Sequence, residues 1–362
     1  MRILHITKYF NNFGGIETLT RSICNQLSKK YKKIDILSFS PHNKKNQYIK
    51  NKYKIINCTS NFVLSSTPFS LSMFCFLKNN INKYDIVHIT VPNPWPTILI
   101  ALFSKKINLL YISWGSDIIK QKLLKVIFNF FQKKLLKKAK RIICLSQNYV
   151  NYSQDLKNFK NKILIVPPII KSVKRNIKIN SKEIRILSVG RLVSYKGYKC
   201  LIEAASILPK NYTFNLVGDG PEKEMLERDV KKYKLSDRFF IHTKASEDKK
   251  NSLLKNSDIF CFTSNTRAES FGISLLEAIN HSLPVIVSDN KGSGMQDMII
   301  NGYNGYNFKN NSSKDLKNKI LKATQNKKKI LTFSKNSKKL FNIKFNNTKI
   351  RNKIFEIYEG AI

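Results

Sequence analysis

Short apolar runs alternate with longer amphipathic stretches along most of this 362-residue chain. That alternation restricts the fold more than any other property of the sequence. Apolar runs of about four to eight residues, rich in Val, Ile and Phe, suit strands buried on both faces, and such strands occur in parallel sheets covered by helices. The first half reads as strands at 2–6, 33–39, 86–90, 109–113, 141–145 and 163–166, with helices near 16–28, 97–104 and 117–138. Pro167-Pro168 closes this set, and the polar, aperiodic stretch 169–183 reads as a linker. A second set follows, with strands at 185–189, 212–217, 239–242, 259–263, 285–288 and 305–308. Its helices lie near 198–208, 222–233, 248–255, 273–280 and 313–325. The expectation is an α/β protein with domains at 1–170 and 184–340, a linker at 171–183 and a helical tail at 341–362. The length is enough for two cores. In open parallel sheets, ligands sit at the carboxyl ends of the strands, and most of the motifs below fall there.

Charge is the second constraint. Lys and Arg number 65 against 23 Asp and Glu, a formal net charge of +42. Such a balance points to anionic partners, a membrane surface or a phosphorylated substrate. A chain crowded with Lys, Asn and Ile also arises from AT-rich codons, and then no partner is implied. The lysines are scattered, with no Arg-rich tract and no zinc-finger or RNA-recognition pattern, which argues against nucleic acid. Six cysteines form no C-x-x-C pair and no spacing that supports disulfides, so a reducing cytoplasm is expected. The first residues read as a strand rather than a signal peptide. Residues 57–77 are uncharged, but Ser, Thr, Asn and Pro68 interrupt them; they read as a buried or interfacial segment rather than a span. In 117–138, Leu124, Ile127, Phe128, Phe131 and Leu135 make a core-facing stripe at helical spacing. Lys120, Lys122, Lys125, Lys133, Lys134, Lys137 and Lys138 surround it, and this helix is the expected contact with an anionic membrane.

Five strand-to-helix junctions carry chemistry-bearing residues. Arg267-Ala268-Glu269-Ser270-Phe271-Gly272-Ile273 leads into a helix that holds Glu277. A helix start offers N–H groups and a dipole to an anion, and the flanking carboxylates can accept from sugar hydroxyls. On an unbroken helix the two acids would lie about 12 Å and ~80° apart, poor geometry for a working acid–base pair. They read instead as two clamps on one ligand that carries both phosphate and polyols. Val189-Gly190-Arg191 through Lys196-Gly197 supplies two cations of the kind a diphosphate needs. Gly218-Asp219-Gly220-Pro221 is a tight turn, structural or ligand-lining, with Pro221 expected at the first helical position. Gly14-Gly15 after the first strand would let a phosphate approach a helix N-terminus; no G-x-G-x-x-G accompanies them, which speaks against a dinucleotide oxidoreductase. Trp114-Gly115-Ser116-Asp117 ends a strand, with Ser116 or Asp117 as a natural N-cap.

Together these groups resemble the family-4 retaining glycosyltransferases. The likeness runs through Gly14-Gly15, Asp85 to His88 with Pro92 and Pro94, Ser116-Asp117, Gly190-Arg191 with Lys196-Gly197, Gly218-Asp219-Gly220, and the Glu269/Glu277 pair. The resemblance implies the GT-B fold, two Rossmann-like domains facing across a cleft, with a final helix that could cross back to the first domain at Lys349–Tyr358. It implies a donor site in which Arg191 and Lys196 hold the pyrophosphate, Glu277 takes the ribose and Glu269 faces the sugar. Ser270, Phe271, Gly272 and Ile273 would supply backbone contacts, Gly14 and Gly15 would meet the phosphates, Gly218 would line the donor, and Thr243 and Lys244 would neighbour the base. No metal or cofactor is implied beyond a UDP- or GDP-sugar. Relatives often carry histidines at the places of Trp114, Gly115 and Thr90. Their absence leaves Asp117 or His88 to supply the polar contact in the first domain, unless turnover is impaired; His88 could equally be structural. The implied activity moves a hexose or N-acetylhexosamine to a lipid-linked saccharide in bacterial surface-polysaccharide assembly, at the inner face of the membrane. Two other classes stay open: a catalytically impaired donor-binding partner protein, and an anion-binding or nucleic-acid-binding protein.

Overall fold

The structure, a computed structural model, describes residues 1–10, 15–40, 46–50, 53–64, 67–117, 122–175 and 183–360. It divides into two units, Met1–Ile170 with Asn347–Ile362, and Lys171–Asn346.

Unit 1 runs β1 (Arg2–Ile6), α1 (Gly15–Leu27), β2 (Lys33–Phe39), β3 (Asn46–Lys50), β4 (Tyr53–Cys58), β5 (Phe62–Leu64), β6 (Thr67–Phe69), α2 (Leu71–Asn80), β7 (Ile86–Val91), α3 (Pro94–Leu102), β8 (Leu109–Trp114), α4 (Lys122–Lys138), β9 (Arg141–Cys144), α5 (Gln147–Tyr152) and β10 (Ile163–Ile165). Its sheet has the order β10-β9-β8-β7-β1-β2-β4-β3. Every pairing is parallel except β3 with β4. The central strands are apolar because helices cover both faces: all six residues of β7 are buried. Residues 57–77, expected as one interfacial segment, end β4, form the antiparallel hairpin β5–β6 and open α2. Ser70 caps α2, accepting from the Met73 N–H at 3.1 Å. The helix expected from 117 begins at Lys122 among the described residues.

Unit 2 continues with β11 (Ile184–Val189), α6 (Tyr198–Ser206), β12 (Tyr212–Val217), α7 (Lys223–Lys232), β13 (Phe239–His242), α8 (Glu247–Asn256), β14 (Ile259–Phe262), α9 (Ile273–Asn280), β15 (Val285–Ser288), β16 (Gly305–Phe308), α10 (Ser313–Ala323) and α11 (Lys327–Lys344). Its strand order is β13-β12-β11-β14-β15-β16, all parallel. Pro221 lies in the turn before α7 rather than opening that helix. The linker is no free tether at its start. Arg175 donates to the carbonyls of Lys255 at 2.7 Å, His281 at 3.2 Å and Ser257, and Lys338 donates to Val173 O at 2.8 Å.

The tail, expected as one helix at 341–362 that could return to the first domain, is built from two. Helix α11 carries unit 2 past residue 340, and a separate helix α12 (Asn347–Glu359) belongs to unit 1. There Tyr358 bonds His88 through its hydroxyl, and Tyr111 Oη donates to Ile357 O at 3.0 Å.

Candidate active site

The densest gathering of chemistry-bearing side chains in unit 2 lies where β11 and β14 end. From β11 the chain passes Gly190 and an exposed Arg191 into a single helical turn, Ser194–Lys196. Gly197 closes that turn at φ +65°, and a Cβ there would sit 2.4 Å from Thr263 O, so both backbone angle and space demand glycine. Thr263 Oγ1 donates to Lys196 O at 2.7 Å, which ties the turn to the end of β14.

This anchoring points Lys196 inward. The side chains of Lys196 and Glu269 are 9% and 11% exposed, and they form an ion pair. The ammonium also lies 4.9 Å from the centre of the Phe262 ring. Ser264 Oγ donates to the same oxygen of Glu269 at 3.0 Å, and Ser293 Oγ donates to the Glu269 carbonyl. Two donors thus fix the Glu269 carboxylate and a third fixes its backbone. Nothing in the sequence singles out Ser264 and Ser293, because isolated serines carry no motif.

Helix α9 starts beside this pair. Its N-cap is Gly272 at φ +93°, packed against the Phe262 ring, and no side chain caps the helix. The Leu275 N–H turns back to Gly272 O at 3.0 Å, which leaves the N–H groups of Ile273 and Ser274 and the helix dipole for an anion. Ser274 Oγ donates to Val189 O at 2.8 Å, locking the start of α9 to the end of β11. Ser270 O accepts from the Gly294 N–H at 3.1 Å. Phe271 is 2% exposed and stacks edge-on with Phe345, so its side chain is core and only its backbone faces the junction.

Glu277 lies further along α9 and has a different partner. Its carboxylate meets the Lys250 ammonium of α8 at 2.9 Å, and Lys250 also meets Glu247 at 3.0 Å. Burial raises the pKa of Glu277, while Lys250 opposes that rise. Burial pulls Lys250 down, but the two carboxylates outweigh it and the net shift is upward. The site therefore contains two Lys–Glu pairs, with Ile273 and Ser274 between the two acids along the chain. Gly218 packs so closely that a Cβ would lie 1.9 Å from Gly190 O, which holds the β11 and β12 turns together. Thr243 is half-buried and Lys244 exposed, in the turn after β13.

The residues proposed from unit 1 fare differently. Gly14 lies outside the described residues, and Gly15 opens α1 and is exposed. His88 is a correction. It is wholly buried in mid-strand, with Nε2 2.8 Å from Ser113 Oγ, Nδ1 on the Tyr358 hydroxyl and its ring 4.2 Å from that of His5. Burial holds its pKa well below the usual histidine range. A neutral imidazole with both nitrogens engaged inside the sheet is a packing element, not a group that meets substrate. Asp117 accepts from Trp114 Nε1 at 3.1 Å and Ser153 Oγ at 2.7 Å, so its carboxylate is tied to its own unit. Thr90 bonds His5 at 3.0 Å and Thr20 at 3.2 Å.

Two family models match this chain: glycosyl transferases group 1 over residues 169–340, and glycosyl transferase 4-like over residues 9–146. The chain belongs to the group 1 glycosyltransferases. The first of these matches spans the residues that build both Lys–Glu pairs. Among curated relatives, an O-antigen chain mannosyltransferase of Escherichia coli is 29% identical over 79% of each chain. A D-rhamnosyltransferase of Pseudomonas aeruginosa is 27% identical over 84% of this chain and 82% of its own. Among solved structures, Anabaena HepE with UDP and glucose superposes with a TM-score of 0.77 at 17% identity, covering 99% of this glycosyltransferase and 100% of HepE. Sucrose-phosphate synthase from Thermosynechococcus elongatus gives 0.81 at 17% identity, over 99% and 98%. At that identity the likeness is one of fold, and the fold is GT-B.

Proposed function

We propose that this glycosyltransferase moves a hexose or N-acetylhexosamine from a UDP- or GDP-sugar to a lipid-linked saccharide, with retention and without a metal, in the assembly of a bacterial surface polysaccharide. The observation that carries the donor site is the buried Lys196–Glu269 pair set beside the uncapped start of α9. The leaving diphosphate develops charge as the glycosidic bond breaks. Lys196 and the α9 N–H groups are fixed positive ends that would stabilise it without reorganising, and the exposed Arg191 adds a further cation. Glu269, oriented by Ser264, would accept from donor-sugar hydroxyls. Glu277 would accept from the ribose, with Lys250 keeping it ionised. Departure of the diphosphate leaves an oxocarbenium-like sugar, and attack by the acceptor on the same face gives retention. No protein nucleophile is assigned.

The relatives support the acceptor and pathway proposed here. The E. coli and P. aeruginosa proteins are named for O-antigen mannose and D-rhamnose transfer. A Campylobacter jejuni relative, 28% identical over 58% of this chain and 57% of its own, is named for N-acetylgalactosamine transfer to a diphospho-undecaprenol-linked sugar. A lipid-linked acceptor would put the chain at the inner membrane surface. No described helix is long and apolar enough to cross a membrane, so attachment would be peripheral.

Release of nucleoside diphosphate and formation of a labelled lipid-linked product, screened across UDP- and GDP-sugars, tests the reading. Glu269→Ala should lower turnover with nucleotide affinity kept, and Glu277→Ala should weaken affinity. Unchanged rate and affinity in both would sink the site assignment. A second reading, donor binding without turnover, is favoured by one observation. The places of Trp114 and Thr90 hold side chains engaged internally, with Asp117 and with His5. Nucleotide binding with no transfer from any donor would select it.

A further inference from the structure

We propose that the β5–β6 hairpin is the wedge by which unit 1 enters an anionic lipid bilayer, with Phe62, Val63 and Leu64 inserted and the lysines of α4 at the headgroups. This rests on the peripheral-membrane reading above and names the element responsible. The three residues are 58%, 60% and 50% exposed. Successive side chains of a strand point to opposite faces, so β5 shows apolar groups to solvent on both faces at once. β6 is largely buried, so β5 is the outer strand of the hairpin; a protein partner packed on it covers one face, whereas a bilayer can take up both. The base is firm. Phe62 stacks on Phe69 at 4.7 Å, Phe69 packs on Trp95 at 5.0 Å, and Trp95 Nε1 donates to Ser70 O at 3.0 Å. Beside the hairpin, Leu71 at the start of α2 is 62% exposed.

Helix α3 packs against both β6 and α4, so the hairpin and α4 share a neighbour in unit 1. On α4, Phe130 is 68% exposed, and Lys133, Lys134 and Lys137 follow it at helical spacing, all exposed. The sequence holds no Asp or Glu in residues 36–84, 86–116 or 118–154. A face that combines exposed apolar tips with cations and lacks acids complements anionic lipid. Each cation adds a modest attraction that salt screens, and the apolar tips add one that salt does not.

The test uses the full chain with vesicles of equal parts phosphatidylglycerol and phosphatidylcholine. Phe62→Trp should show a blue-shifted emission, taken as the difference from wild type, and quenching by lipids brominated on the acyl chains. The triple change Phe62→Ser, Val63→Ser, Leu64→Ser should weaken vesicle partitioning on the order of a hundredfold and abolish the part that survives high salt. An unaltered far-ultraviolet circular dichroism spectrum will show that it folds. Failure of wild type to bind vesicles at low salt overturns the membrane reading itself. If wild type binds vesicles but the indole of the Phe62→Trp variant is unshifted and unquenched, the hairpin assignment alone is overturned. So it is by a dimer in solution that the triple change dissolves, which would make the hairpin a contact between copies.

Discussion

Lys196→Met isolates the pair at the centre of the site. Lys196 and Glu269 have side chains 9% and 11% exposed, so removing the cation strands a carboxylate in the interior. Breaking a buried ion pair from one side costs about 3–5 kcal/mol. Ser264 still donates to Glu269, which favours the lower part of that range. The ammonium's place beside the Phe262 and Tyr195 rings is lost as well, worth about 0.5–2 kcal/mol in such settings. For a unit the size of Lys171–Asn346, the two losses together amount to a fall in melting temperature of about 7–28 °C. The double change Lys196→Met with Glu269→Leu removes both charges and should recover most of that loss, since paired apolar replacements are often near neutral. Stability, read by denaturant unfolding, and nucleotide affinity, read by calorimetry, then separate. The single variant loses both, and the double variant regains stability and stays unable to bind. A Lys196→Met protein as stable as wild type, or a double variant no better than the single one, would refute the buried pair.

Three further changes probe the rest. Lys250→Ala removes the charge that opposes the upward shift of Glu277, so nucleotide affinity should fall off at a higher pH than in wild type; a pH series of dissociation constants measures this. Burial lowers the pKa of His5 to about 3 and that of His88 well below 6.5. Both are neutral in the fold and protonate on unfolding, so their contribution is present above pH 6.5 and is lost as pH falls below it, for His5 down to about 3. Each should add a slope of about 1.4 kcal/mol per pH unit in that window, and His88→Asn should remove one such slope in urea unfolding followed across pH. Gly218→Ala would place a methyl 1.9 Å from Gly190 O, forcing the β11 and β12 turns apart. It should cost about 1–3 kcal/mol, read by thermal unfolding, and weaken nucleotide binding through Gly190 and Arg191.

Most strands of the two sheets were legible because runs such as Ile86–Val91 and Val285–Ser288 are buried on both faces and need no alternation to be found, but β4, at Tyr53–Cys58, was not read as a strand. β3, with Asn46, Gln47 and Lys50, was not, because an antiparallel edge strand carries polar groups. Helix α11 opens on three lysines at 327–329, which mask its apolar stripe of Ile330, Phe333, Leu340 and Phe341. In the site, Glu269, Glu277, Arg191 and Lys196 could be read because each follows a strand end or a glycine turn. Lys250 could not, because nothing local separates it from Lys249 and Lys255 on the same helix; only the packing of α8 against α9 puts one of the three on Glu277. His88 was left open between a structural and a functional role for the converse reason. A histidine near a strand end reads as exposed chemistry until the neighbouring strands β1 and β8 are known to enclose it.

The most direct test of the donor site is stabilisation by nucleoside diphosphates, UDP and GDP first, on wild type and on Glu277→Ala. A ligand at 100 times its dissociation constant adds roughly 2.7 kcal/mol to the fold. The account predicts a rise of that size for wild type with one of these nucleotides and a loss of most of it in Glu277→Ala. No rise with either nucleotide, or an equal rise in both proteins, would contradict it.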